Sequence, residues 1–329
     1  MKKYYKNKIE DFQVKEVMIN NLNLDLLKDK KYKSYLLTKK GFSTFDAIDI
    51  LAKEKKIDIS KIGYAGLKDE DGITQQSISI NSEEKVKDCF LTPVSLYSEN
   101  GFIDLKFNGY LKEKIEIGEL LGNSFKIVLR NLSKEIVEKI YKSKKIPFLF
   151  FNYYDTQRFG LPDKRKITHL IGKALLKNDI KKALKYINEN ENKKIENINE
   201  INPKKLSFYK NSYSSYLWNK KLTNIIKEKD VTNENFYSKG FKFVFIKKQA
   251  DIAKIYQEEK NIEYISYRED NTVKSSNRPM ILQTLIIVPK QENFKDEIFK
   301  NNHKITIEFF LPSGTYATMF LKQFLNTYL

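Results

Sequence analysis

Short runs of alternating apolar and polar residues open and close this chain, and helical spacing fills its middle. Phe12, Val14 and, less cleanly, Glu16 alternate over 9–17, which predicts a strand. A second strand is predicted over 33–40, and Gly41 breaks the chain. Ser43 or Thr44 then offers a helix cap, with Asp46 in the first turn. Phe45, Ile48, Leu51 and Ala52 share one helical face through about Lys55. Ile62, Tyr64 and Ala65 lead into a loop, and Ile78 and Ile80 alternate with Ser77 and Ser79 on the way out. Residues 1–80 therefore read strand, strand, helix, strand, loop, strand, an α+β layer.

Ile103, Leu105 and Phe107 predict a further strand, and 118–130 a turn followed by a strand. In the latter Phe125, Ile127 and Leu129 share one face, while Lys126 and Arg130 are expected on a solvated one. The stretch 147–160 reads as a buried strand and a turn, with Asn152, Gln157 and Arg158 set among aromatics. Polar groups so placed must brace the loop or read a ligand. Beyond Gly160, two amphipathic helices are expected, around Ile167–Leu175 and Ile180–Ile187, then a Glu/Lys/Asn-rich surface loop over 188–202 and a helix over 206–227. Residues 228–270 are charged and weakly periodic, and 275–280 read as a return loop. Strands around 282–288 and 305–309 and an apolar helix close the chain. The expected division is 1–160 with 276–329 as one discontinuous domain, and 161–275 as an inserted domain.

At 329 residues, about two domains are expected. Cys89 is the single cysteine, which rules out an internal disulfide framework and points to a reduced, cytoplasmic compartment. His169 and His303 stand far apart, so a histidine-rich metal site is not expected. No apolar run reaches the ~18 residues of a membrane span, and the basic start is followed by no apolar leader segment. Lysine and arginine number 60 against 42 acids, a net charge of +18, which favours an anionic partner and nucleic acid first. An aromatic content of 13% adds stacking surface.

The densest chemistry lies in 63–76, where Gly63, Gly66 and Gly72 flank Lys68, Asp69, Glu70 and Asp71. Three readings compete: an acidic hairpin turn at Asp71-Gly72, a hard-cation site built from Asp69, Glu70 and Asp71, or a loop that presents Asp69 as one working carboxylate. This run resembles the signature loop of the TruD family of pseudouridine synthases, aromatic-Ala-Gly-x-Lys-Asp and then, after a variable stretch, Val/Ile-Thr-x-Gln. Further segments resemble the family in matching order. These are Asp11-Phe12-x-Val14-x-Glu16 with Lys6 ahead of it, Gly122-Asn123-x-Phe125 to Arg130, and Asn152-Tyr153-Tyr154-Asp155-Thr156-Gln157-Arg158-Phe159-Gly160. The helix around Ser212 to Asn219 and the ending Phe309-Phe310-Leu311-Pro312-Ser313-Gly314-Thr315-Tyr316-Ala317-Thr318 follow. The chain departs from the family at Glu70-Asp71, where a basic pair is common, at Tyr154, Asp155 and Tyr316, and at Asn277-Arg278, where paired arginines are common.

The resemblance implies an α+β fold. A mixed, mainly antiparallel sheet forms the catalytic domain of pseudouridine-synthase type, and a largely helical α/β domain is inserted in it. It implies isomerisation of uridine to pseudouridine in tRNA, at uridine 13, with neither cofactor nor metal. Asp69 would be the catalytic carboxylate, charged and desolvated beside an extruded base. Whether it attacks the sugar or the base, or removes a ribose proton, stays open. Phe12 and Tyr316 would be stacking platforms and Asn152 the base-edge reader. Lys6, then Arg158, would supply the opposing charge, with Lys68 and Gln157 in support and Lys68 pointing away from Asp69. No membrane and no obligate protein partner is implied. The rivals are a metal-dependent nuclease built on Asp69, Glu70 and Asp71, and a non-catalytic RNA-binding protein.

Overall fold

The computed structural model describes residues 4–19, 31–95, 99–160, 165–191, 194–258 and 261–329. In chain order the elements are β1 (Phe12–Met18), β2 (Tyr32–Lys40), α1 (Thr44–Lys55), β3 (Ile62–Tyr64), β4 (Ile73–Asn81), β5 (Cys89–Leu91), β6 (Phe102–Leu111) and β7 (Leu120–Leu132). Then come α2 (Lys134–Ser143), β8 (Lys145–Phe151), α3 (Thr168–Leu176), α4 (Ile180–Glu191), α5 (Pro203–Glu228), β9 (Asn233–Ser238) and β10 (Phe241–Ile246). The chain ends with α6 (Gln249–Glu258), β11 (Asn261–Tyr267), β12 (Val273–Pro279), β13 (Ile281–Ile287), β14 (His303–Pro312) and α7 (Ala317–Tyr328). The chain forms two compact units, Met1–Pro147 with Thr284–Gly314, and Phe148–Gln283 with Thr315–Leu329.

The first unit is built on a sheet of order β5-β6-β2-β4-β1-β7-β14-β13-β8, with β3 paired to β4. The chain leaves this unit within β8 and re-enters it within β13. β1 and β4 run parallel, while β1 with β7, β2 with β4, β2 with β6 and β7 with β14 run antiparallel. Period-two burial sets the register: Phe12 faces Ile127, Val14 faces Phe125, and Phe125 faces Phe309. Ala47, Ile48, Leu51 and Ala52 of α1 pack on Tyr35, Leu37, Ile78, Ile80, Ile103 and Leu105. Each fully buried aliphatic side chain contributes about 1.5–3 kcal/mol. Ser43 caps α1 by accepting from the Asp46 amide, and the Asp46 carboxylate returns the bond.

Two expectations fail in this unit. Phe45 lies off the buried face of α1, 59% exposed, and meets Tyr64 edge to face. Phe107 lies in β6 as predicted and keeps register with Tyr35, but it is exposed, and the β2–β6 register slips just after it. Arg130 is not on a solvated face: it is 3% exposed and held by three carboxylates. Its Nε and Nη2 donate to Asp11 at 2.8 Å each, Nη1 donates to Asp296 at 3.0 Å, and Nη2 also reaches Glu297 at 2.9 Å. β7 is thus covered at Arg130 while Lys126 stays exposed, and those acids lie far from Arg130 in sequence, where periodicity does not register them.

The second unit centres on α5, whose Trp218, Leu222 and Ile226 pack with Tyr153, Phe243, Phe245, Ile252 and Met319. α3 crosses α5 so closely that a Cβ on Gly172 would lie 2.0 Å from the Tyr209 carbonyl oxygen. The described residues within 228–270 include β9, β10, α6 and β11, and 275–280 fall within strand β12 and the residue after it rather than a return loop. β11 and β12 pair in full register from Asn261↔Pro279 to Tyr267↔Val273.

Candidate functional site

The loop 65–72 links β3 to β4, and almost every motif residue around it holds it in shape. Thr44 Oγ1 accepts from the Lys68 amide at 2.8 Å and donates to Gln76 Oε1 at 2.9 Å. Gln76 Nε2 in turn donates to the Gly66 carbonyl at 3.0 Å. Lys68 does point away from Asp69: its ammonium is ion-paired with Glu16, and both side chains are buried. Gly72 closes the loop on β1, where a Cβ would lie 2.6 Å from the Phe12 carbonyl oxygen.

Beneath the loop lies Lys39, with no exposed surface. Its Nζ donates to the carbonyls of Phe42 at 2.6 Å, Lys68 at 3.2 Å and Asp69 at 2.8 Å. Three acceptors match the three donors of an ammonium. Burial pushes the Lys39 pKa down to about 8, against the opposing pull of Asp69 and Glu70. Sequence reading missed this residue. The signal was its phase: Lys39 falls in step with the buried Tyr35 and Leu37 on β2.

Above the loop, Lys6 Nζ bridges Asp69 Oδ2 at 3.1 Å and Asp71 Oδ1 at 2.6 Å. The same ammonium sits 4.1 Å from the centroid of the Phe12 ring. Burial works against the Lys6 charge, but the two carboxylates outweigh it and its pKa is raised. Glu70 has its pKa raised, by burial first and by Asp71 and Asp69 after. Two expectations need correction here. The Asp69 side chain, paired with Lys6, is 44% exposed, so it is not desolvated in the free protein. Phe12 is 1% exposed, edge-on to Phe125 with Lys6 near its ring, so the structure does not offer it as an open platform.

In the second unit Asn152 is 4% exposed. Its Oδ1 accepts from Arg278 Nη2 at 2.7 Å, and its Nδ2 donates to the Pro279 carbonyl at 3.1 Å. The Arg278 guanidinium lies 4.1 Å from the Tyr154 ring centroid and 5.1 Å from that of Trp218. Asn219 clamps Tyr154 by both its amide and its carbonyl, at 2.9 and 2.8 Å. Asp155, one of the departures, caps the turn Thr156–Phe159 and accepts from Lys322 at 2.7 Å and from Thr318. Burial raises its pKa, yet Lys322 and the hydrogen bonds leave it lowered. Tyr316 is half-buried at the start of α7, edge-on to Tyr154 at 5.9 Å. Arg158 is half-buried; it donates to Ser215 at 3.2 Å and lies over Phe208. Gln157 is exposed, not set into the apolar run, because the turn at 156–159 rotates it outward.

Lys6, Phe12, Lys68 and Asp69 are thus assembled in the first unit, and Asn152, Arg158 and Tyr316 belong to the second. Among the described residues, no group of three or more His, Cys, Asp or Glu is placed to hold a metal ion. None of their helices is long and apolar enough to cross a membrane.

Known proteins resemble this chain. A "Probable tRNA pseudouridine synthase D" of Thermococcus sibiricus is 40% identical over 192 residues, 56% of this chain and 43% of that protein. The chain thus matches less than half of that relative's length. A "Probable tRNA pseudouridine synthase D 2" of Methanocaldococcus jannaschii is 29% identical across 96% of this chain and 90% of its own. The crystal structure of a tRNA pseudouridine synthase D candidate from Methanosarcina mazei matches with a TM-score of 0.59 at 20% identity, over 99% of this chain and 94% of that one, which shows a shared fold. The family model of tRNA pseudouridine synthase D (TruD) matches residues 3–202, and on that match the chain belongs to the TruD family.

Proposed function

We propose that this protein isomerises uridine to pseudouridine in tRNA, with uridine 13 as the target and Asp69 as the catalytic carboxylate. The reaction breaks the C1′–N1 bond and forms C1′–C5; N1 gains a proton and C5 loses one, so it needs no oxidant, reductant or imported group. The observation that carries this reading is the Lys6 bridge to Asp69 and Asp71, on a loop fastened from below by Lys39. An ionised carboxylate must stand near RNA phosphates, and Lys6 offsets that repulsion. Water that now reaches Asp69 leaves when a flipped base covers it, which strengthens every charge interaction there. Asn152 reads the base edge and Tyr316 stacks on it; Phe12 joins only where Lys6 lifts from its ring. Lys68 braces the loop through Glu16, with Arg158 and the exposed Gln157, near the end of the 1–160 segment, in support. A net charge of +18 supports RNA as the partner, and the single cysteine, Cys89, supports a reduced cytoplasm as the place of work.

The metal-dependent nuclease reading is the weaker one, since an ammonium already lies between Asp69 and Asp71. The test is incubation with unmodified tRNA transcripts followed by carbodiimide mapping. A new pseudouridine stop at position 13 supports the proposal, and its absence from every transcript removes it.

A further inference from the structure

Asn152 is held by two partners of opposite kind. A guanidinium has only donors, so the amide oxygen must face Arg278. The Pro279 carbonyl only accepts, so the amide nitrogen must face it. A flipped amide would set N–H against N–H at one end and oxygen against oxygen at the other. Arg278 also donates to the Asn152 backbone carbonyl at 3.0 Å, and the rings of Tyr154 and Trp218 hold its guanidinium in place. The oxygen end of the amide is therefore committed to the protein. Of the two amide hydrogens, one goes to Pro279, and the structure gives the other no partner among the described residues.

We infer that Arg278 is a positioning residue that fixes Asn152 as a hydrogen-bond donor, so that the site selects a pyrimidine by one of its ring carbonyls. The inference rests on the reading above that an RNA uridine is the substrate. Uracil offers carbonyl acceptors at C2 and C4. Cytosine replaces the C4 carbonyl with an amino donor, which would meet the Asn152 N–H head on. A donor at C4 thus separates uridine from cytidine, and a donor at C2 separates uridine from 2-thiouridine.

The test uses full-length protein carrying Asp69→Asn to stop turnover. Binding is measured to tRNA transcripts with uridine, cytidine or 2-thiouridine at the nucleotide that the unsubstituted protein modifies. With Arg278 present, one of the two analogues should bind roughly five- to hundredfold more weakly than uridine, the loss expected of a mismatched buried hydrogen bond. In Arg278→Met and Arg278→Leu, which donate nothing, that gap should shrink to under about threefold, because an Asn152 amide with no donor on its oxygen can turn that oxygen outward. Arg278→Lys, which still donates, should keep part of it. Equal binding of all three RNAs with Arg278 present overturns the inference. So does a gap that persists in both variants, or a loss of affinity that is uniform across the three RNAs, which marks a purely structural role. If the unsubstituted protein modifies no transcript, the functional reading fails first and takes this inference with it.

Discussion

Lys39 holds Asp69 from behind: the buried ammonium donates to the aspartate's own backbone carbonyl at 2.8 Å. The charge that fastens the loop is thus set by a residue whose pKa lies near 8. Above that pH a neutral amine has two hydrogens for three carbonyls and turns a lone pair on the third. Turnover should therefore fall as pH rises through about 8. Stability moves the other way. A lysine pKa lowered by folding means that the unfolded chain holds more protons between about 8 and 10.5, so stability rises with pH across that window, by up to about 3 kcal/mol. Rate and urea-unfolding profiles over pH 7–10 check both signs, and Lys39→Met should abolish the step in each.

Lys6→Met leaves Asp69 and Asp71 without their shared cation. Both carboxylates are about half exposed, so the stability change should stay under about 1 kcal/mol. Turnover on tRNA should drop at least about tenfold, since the pair then faces RNA phosphates uncompensated. Lys6→Arg should recover part of it. Single-turnover rates and thermal melts separate the two effects.

Arg130→Met strips the partner from Asp11 and Asp296, which are nearly out of solvent. Leaving buried charges unpaired costs about 3–5 kcal/mol, read by urea unfolding. Asp296 and Glu297 both have lowered pKa values, Asp296 against its burial by backbone hydrogen bonds and Glu297 by the hydrogen bond from Arg130 first. Their contribution is present above the ordinary carboxylate range and is lost as pH falls through their folded values. The destabilisation by Arg130→Met should therefore shrink below about pH 4.

Asp155→Ala should destabilise the second unit by about 3 kcal/mol or more, because Lys322 is left largely buried without its counter-charge. Pairing Asp155→Asn with Lys322→Met should recover part of that, as a double-mutant unfolding cycle would show.

Strand alternation and capping signals made most of the first unit legible, from the Ser43–Asp46 cap to the β4 face of Ile78 and Ile80. The roles of Thr44, Gln76 and Glu16 were not, because each acts on a residue far away in sequence. Lys39 and Arg130 were misplaced or missed for one reason. A cation reads as surface until its buried acceptors are known, and those lie on other elements. The strands of 228–270 were hidden by charge, although Phe241-Lys242-Phe243-Val244-Phe245-Ile246 is apolar enough to have marked β10. Arg278 was read as half of a missing pair, and only the fold shows that its partner is Asn152.

The most direct test of the account is a comparison of Asp69→Asn with Asp71→Asn on the same tRNA transcript, under single-turnover conditions with RNA affinity measured alongside. Asp69→Asn should bind RNA at least as well as the unsubstituted protein and form no pseudouridine, while Asp71→Asn should still form it. Pseudouridine formation by Asp69→Asn at a rate near that of the unsubstituted protein would contradict the account.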